Sequence, residues 1–141
     1  MVLLLALAGC GGGTSRAVPY EDLTKEAGGL EFTRITRDVF RSADALRAVV
    51  QRNNPGRAIR LPAIDFTRRE AYLVAAGPRS STGYDLRIVS VRDTGPHIVV
   101  TVHERTPALG DPVRARVTYP FRLIALPASD EPVKLKWPGR P

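Results

Sequence analysis

Between residues 113 and 125 every odd position is apolar (Val113, Ala115, Val117, Tyr119, Phe121, Leu123, Ala125), while Arg114, Arg116, Thr118, Pro120 and Arg122 occupy even ones. A period of two marks a half-buried strand. The phase survives Pro120, which predicts one strand of about 13 residues. It must bend or bulge near Tyr119 and Pro120, because proline donates no ladder hydrogen bond.

Other strands follow from the same pattern. "AYLVAA", residues 71–76, is a continuous apolar run bounded by polar residues, as in a central strand buried on both faces. From Tyr84 to Val91, Tyr84, Leu86 and Ile88 share one face while Asp85 and Arg87 share the other. "RDTGP" turns the chain, and Ile98, Val100 and Val102 then alternate with Val99, Thr101 and His103. The two strands predict an antiparallel hairpin. Weaker patterns predict a first strand in "LEFTRIT" (30–36), an edge or bulged strand in "AIRLPAIDF" (58–66), and a closing strand carrying Val133, Leu135 and Trp137. One helix interrupts the strands: Ser42 caps it, Leu46, Val49 and Val50 form its apolar stripe, and "RNNPG" stops it. The stripe reads as core. The predicted architecture is mainly β, an antiparallel β-sandwich or partly open barrel with one short α-helix.

Length adds a bound, since 141 residues suit one domain with appendages. The net charge of +7, carried mostly by arginine, favours contact with acidic groups such as anionic lipid, envelope polymer or an acidic protein face. Nucleic acid is excluded as a partner, because the arginines are scattered and no nucleic-acid-binding motif accompanies them.

The N-terminus adds a location. "MVLLLALAGC" is an apolar run ending in small residues before the single cysteine, too short to span a membrane as a helix. Leu7-Ala8-Gly9-Cys10 looks like a bacterial lipobox. It implies a signal peptide over 1–9, lipid attached at Cys10, a flexible tether over 10–29 and a folded domain over 30–141, held outside the cytoplasm in the cell envelope. No Lys or Arg precedes the run, which would place the true start upstream of Met1, and the other reading is an ordinary signal peptide or a buried apolar N-terminus with an incidental cysteine.

Catalytic chemistry finds no support. His97 and His103 read as solvated, no Cys-His or His-His metal spacing exists, and no cofactor motif is present. Ser80, Ser81 and Thr82 lack a Gly-x-Ser-x-Gly elbow, and pairing of Asp85 or Asp65 with Glu104 has only a solvated surface to act on.

What remains is the segment "GPRSSTGYDLRI". Gly83 has no Cβ and would let a partner backbone approach, Ser80, Ser81 and Thr82 offer hydroxyls, and Tyr84 offers a rigid anchor or an inward core side chain. Thr82-Gly83-Tyr84 after a Gly77-Pro78 loop, the hairpin, the loop at Thr106-Pro107 and the Thr118-Tyr119-Pro120 strand together resemble the bacterial family named after PrcB, over residues 71–127. That resemblance implies a non-catalytic domain that associates with a protein partner, stabilising a secreted protease complex in the founding example. The candidate partner-binding residues are Gly77, Pro78, Ser80, Ser81, Thr82, Gly83, Tyr84, Thr106 and Pro107. Ser81-Thr82-Gly83-Tyr84 also partly resembles the loop of chagasin-type cysteine-protease inhibitors, although the Asn-Pro opening and the Arg-Pro-Trp loop of that family are absent. A third reading is an envelope structural protein that binds anionic polymer or lipid through its arginine-bearing strands.

Overall fold

The computed structural model describes residues 13–139. Signal peptide, lipobox and Cys10 fall outside the described residues. The apolar run is the middle of the fold, as its composition requires. Strand β4 (Arg69–Ala76) pairs antiparallel on one side with β3 (Ile35–Phe40) and on the other with β9 (Phe121–Pro127). The short β2 (Glu21–Asp22) extends this sheet beyond β9, in the order β2-β9-β4-β3. The second sheet has the order β1-β6-β7-β10, from β1 (Arg16–Ala17), β6 (Asp85–Asp93), β7 (Ile98–Arg105) and β10 (Val133–Lys136).

Both faces of β4 are covered, which explains why its sequence shows no alternation. Tyr72, Val74 and Ala76 face the second sheet and pack with Leu86, Ile88, Val100, Val102, Ile124 and Leu126. Ala71, Leu73 and Ala75 face the other way, toward Leu46 and Val50 of helix α2 (Ala43–Asn53) and toward Phe32, Phe40, Phe121 and Leu123. Each large apolar side chain buried in these layers contributes about 1.5–3 kcal/mol relative to exposure. The result is a β-sandwich backed by a helical layer, with all pairing antiparallel except β10 on β7, which is parallel.

Local rules explain most element boundaries. Ser42 accepts the Ala45 N–H at 3.2 Å and caps α2. At the other end Asn54, 3 % exposed, bonds both backbone groups of Glu31 and the Val50 carbonyl, tying the helix to the chain that enters β3. A bulge between Ile88 and Ser90 shifts the parity of β6, so Ile88 and Val91 both point inward while Val89 is exposed.

Several expectations are corrected. The strand expected over 30–36 begins at Ile35; Leu30 and Phe32 enter the core from irregular chain. Residues 58–66 form no strand, and Ile59, Leu61, Ile64 and Phe66 pack on the core from an extended loop that Pro62 keeps out of any ladder. The segment 16–29, expected as tether, holds β1, β2 and the short helix α1 (Thr24–Ala27), with Leu23 and Ala27 buried. The single strand expected over 113–125 is two strands, because β8 (Ala115–Thr118) leaves the sandwich to pair with β5 (Arg79–Ser81), and β9 begins only after Pro120. Val113 and Val117 are therefore exposed rather than core.

Candidate functional site

One end of the sandwich gathers every residue singled out in the 77–84 segment together with Thr106 and Pro107. Gly77 ends β4 with φ 77°, a left-handed conformation that only glycine adopts without strain, and a Cβ there would stand 3.5 Å from the Ile35 nitrogen. Gly77 is buried, and its conformation turns the chain out of the sheet. Pro78 and Ser80 are exposed.

Arg79 organises the turn. Its guanidinium bonds both carboxylate oxygens of Glu104, with Nη2 2.9 Å from Oε2, and Nη1 donates to the carbonyls of Ala76 and Pro78 at 2.9 and 3.0 Å. The hydrogen bonds it donates to Glu104 push the guanidinium further up from its already high range. Such a bidentate, half-desolvated pair fixes orientation as well as charge. Arg79 also lies 6.0 Å from the centre of the Tyr84 ring, which is half-buried and belongs to neither core cluster. Glu104 pairs with neither Asp85 nor Asp65: Asp85 accepts from Arg122 at 3.0 and 3.1 Å, and Asp65 accepts from Thr67, which holds its carboxyl below the usual range.

The rest of the segment is locked to the 105–118 stretch. The Thr82 N–H donates to the Arg114 carbonyl at 3.2 Å, Thr82 Oγ1 accepts from the Arg114 N–H at 3.0 Å, and the Thr118 hydroxyl donates to the Ser81 carbonyl at 2.7 Å. A Cβ on Gly83 would lie 2.6 Å from both Pro107 Cβ and Val113 Cγ1. The space that sequence reasoning left for a partner's backbone is filled by the chain's own second loop. That loop closes on itself: Ala108 N donates to Asp111 Oδ2 at 2.8 Å, Asp111 N donates to the Ala108 carbonyl at 3.1 Å, and Gly110 takes φ 93°. Positive φ at the third position of the turn leaves Leu109 at the second, fully exposed on a well-defined tip.

Sequence reasoning therefore named residues that the fold brings to one end of the molecule and missed those that hold that end together. Arg79 and Glu104 carried no signal beyond being charged residues on predicted strands or turns, and Leu109 was one apolar residue in a Pro-Gly loop. Exposed side chains at this end are Pro78, Ser80, Thr82, Thr106 and Leu109, with Tyr84 and Pro107 half-buried. Among the described residues no group of three His, Cys, Asp or Glu side chains comes together, and no helix is long and apolar enough to cross a membrane.

No curated protein and no solved structure matches this chain. A family model described as PrcB C-terminal matches residues 71–127. The match runs from Ala71 in β4 to Pro127, the last residue of β9, so it takes in the central strand, the β6–β7 hairpin and both interlocked loops. Residues 71–127 are thus similar to the PrcB C-terminal family.

Proposed function

We propose that the protein is a non-catalytic envelope domain that binds and stabilises a protein partner, a secreted peptidase or the complex around it. The observation that carries this reading is the platform made by segments 77–84 and 105–114, which the chain fixes with its own hydrogen bonds and tops with the exposed Leu109. A surface ordered before contact loses little entropy on docking, which is what a stabilising subunit needs. The PrcB-like match over the same segment supports the choice of a protease complex. In this reading Cys10 carries lipid. Strand β1 begins at Arg16, so the lipid holds the sandwich within about 20 Å of the bilayer, the reach of a six-residue extended chain.

The test is capture from envelope extract with the full chain, wild type beside Leu109→Asp. A peptidase retained by wild type and reduced about tenfold by Leu109→Asp is the expected result, a loss typical of one central apolar contact. Retention of every partner by the folded variant, or capture of no peptidase at all, rules the reading out. An inhibitor of the chagasin type would lower the peptidase's activity on mixing, whereas a stabilising subunit lengthens its lifetime. A polymer- or lipid-binding protein would elute with salt and ignore the Leu109 change.

A further inference from the structure

Strand β8 is exposed along most of its length and pairs only with β5, so its second edge has no backbone partner among the described residues. Apolar side chains gather around it, with Val117 57 % and Val113 41 % exposed beside the tip residue Leu109. Proteins normally hide or interrupt such an edge, because it templates further strand pairing. Here the guards are the strand's shortness, four residues, and charge. The side chains of Arg114 and Arg116 make no hydrogen bond or ion pair among the described residues. The nearby carboxylates are engaged elsewhere, Glu104 with Arg79, Asp85 with Arg122, and Asp111 with the Ala108 N–H and Arg105.

We infer that β8 is the docking edge for an extended segment of the partner protein in which acidic and apolar residues alternate, added as a third strand beside β8. This rests on the protein-binding reading above and gives the partner its chemistry. Two unpaired arginines, one just before the short exposed strand and one within it, repel a second copy of the same edge and attract carboxylates, so the charge selects against self-pairing and for an acidic guest. Main-chain hydrogen bonds along β8 supply the attachment, Val117 and Val113 take the apolar positions, and Arg114 and Arg116 take the acidic ones.

The probe is a ten-residue peptide alternating glutamate and valine, titrated into the isotopically labelled full chain and followed by backbone amide NMR. Two control peptides accompany it: one with lysine in place of glutamate, one with N-methyl groups along one edge. The glutamate peptide is expected to shift the amides of residues 115–118 and to bind at least tenfold more tightly than the lysine peptide. N-methylation should abolish the shifts, and the exposed double variant Arg114→Glu/Arg116→Glu should reverse the preference between the charged peptides. Equal binding of the lysine or N-methylated peptide, shifts confined to other strands, or no shift at millimolar glutamate peptide overturns the inference. The peptide controls use the wild-type protein, so their outcome does not depend on how the variant folds. A failed titration beside successful peptidase capture removes the acidic-strand chemistry alone; failed capture beside successful titration removes the peptidase reading alone.

Discussion

Replacing Gly83 by alanine adds one methyl group in a place where the chain has left none to spare. The new Cβ would sit 2.6 Å from Pro107 Cβ, 2.6 Å from Val113 Cγ1 and 3.1 Å from Pro107 Cγ, well inside the 3.5–4.0 Å at which carbon atoms rest. The φ angle of Gly83 is not positive, so an alanine backbone suffers no intrinsic strain and the cost is purely steric. Overpacking of this kind costs about 1–3 kcal/mol, offset by up to about 1 kcal/mol because alanine narrows the unfolded ensemble. A net loss of about 1–2 kcal/mol lowers the Tm of a domain this size by roughly 3–10 °C. Thermal unfolding of the full chain by circular dichroism reads the effect, and Val113→Ala provides its control. Val113 is 41 % exposed, so its truncation alone costs little, yet it removes one of the two clashing atoms. The double variant should recover about half of the Gly83→Ala loss, a coupling that independent sites do not show. A Tm for Gly83→Ala within about 1 °C of wild type would mean that the two loops are not locked together, and the preformed platform would be refuted with them.

Two further changes test the body of the fold. The Glu70 carboxyl is 1 % exposed, and its burial raises its pKa against the opposing pull of Arg41, 3.4 Å away, and the Ser129 N–H. Since the folded value lies above the unfolded one, the stability it contributes is complete below the ordinary carboxylate range and is lost as pH rises through the folded value. Urea midpoints should therefore fall as pH rises above the ordinary carboxylate range in wild type and fall less in Glu70→Gln; parallel curves would place the titration in another group. Asn54→Ala strips partners from both backbone groups of Glu31 and from the helix end, at a cost of about 2–4 kcal/mol. Asn53→Ala, which removes one bond to the Val49 carbonyl, should cost under about 1 kcal/mol, and equal urea midpoints for the two would refute the bridging role of Asn54.

What the sequence disclosed was local. The N-cap at Ser42, the turn between β6 and β7 and the buried run of β4 each follow from neighbouring residues, and each stands where expected. What it concealed was decided across the chain. The alternation from Val113 to Ala125 is a true strand pattern, but nothing local shows that the chain changes sheets at Tyr119 and Pro120 or that Val117 ends in solvent. Residues 16–17 and 21–22 look like linker because two-residue strands have no period to display; only their partners in β6 and β9 make them strands. The candidate site divides the same way. Thr82, Gly83 and Tyr84 were legible as a turn with contact chemistry, whereas the Arg79–Glu104 clamp and the filling of the Gly83 hollow by Pro107 and Val113 needed the third dimension.

The placement of those two small strands governs how the molecule can come into being. β1 lies against Arg92 and Asp93, and β2 against Ile124 and Ala125, so β1 finds its place only when about 75 further residues are available to meet it, and β2 only when about a hundred are. Closing loops of that size before any contact rewards them is slow, and a chain dominated by such pairings folds late and as a unit. During synthesis β1 therefore has no partner until β6 has emerged, and β2 has none until β9 has. A chain stopped before residue 121 can still pair β3 with β4, but it leaves β2 without its partner and one edge of β4 open.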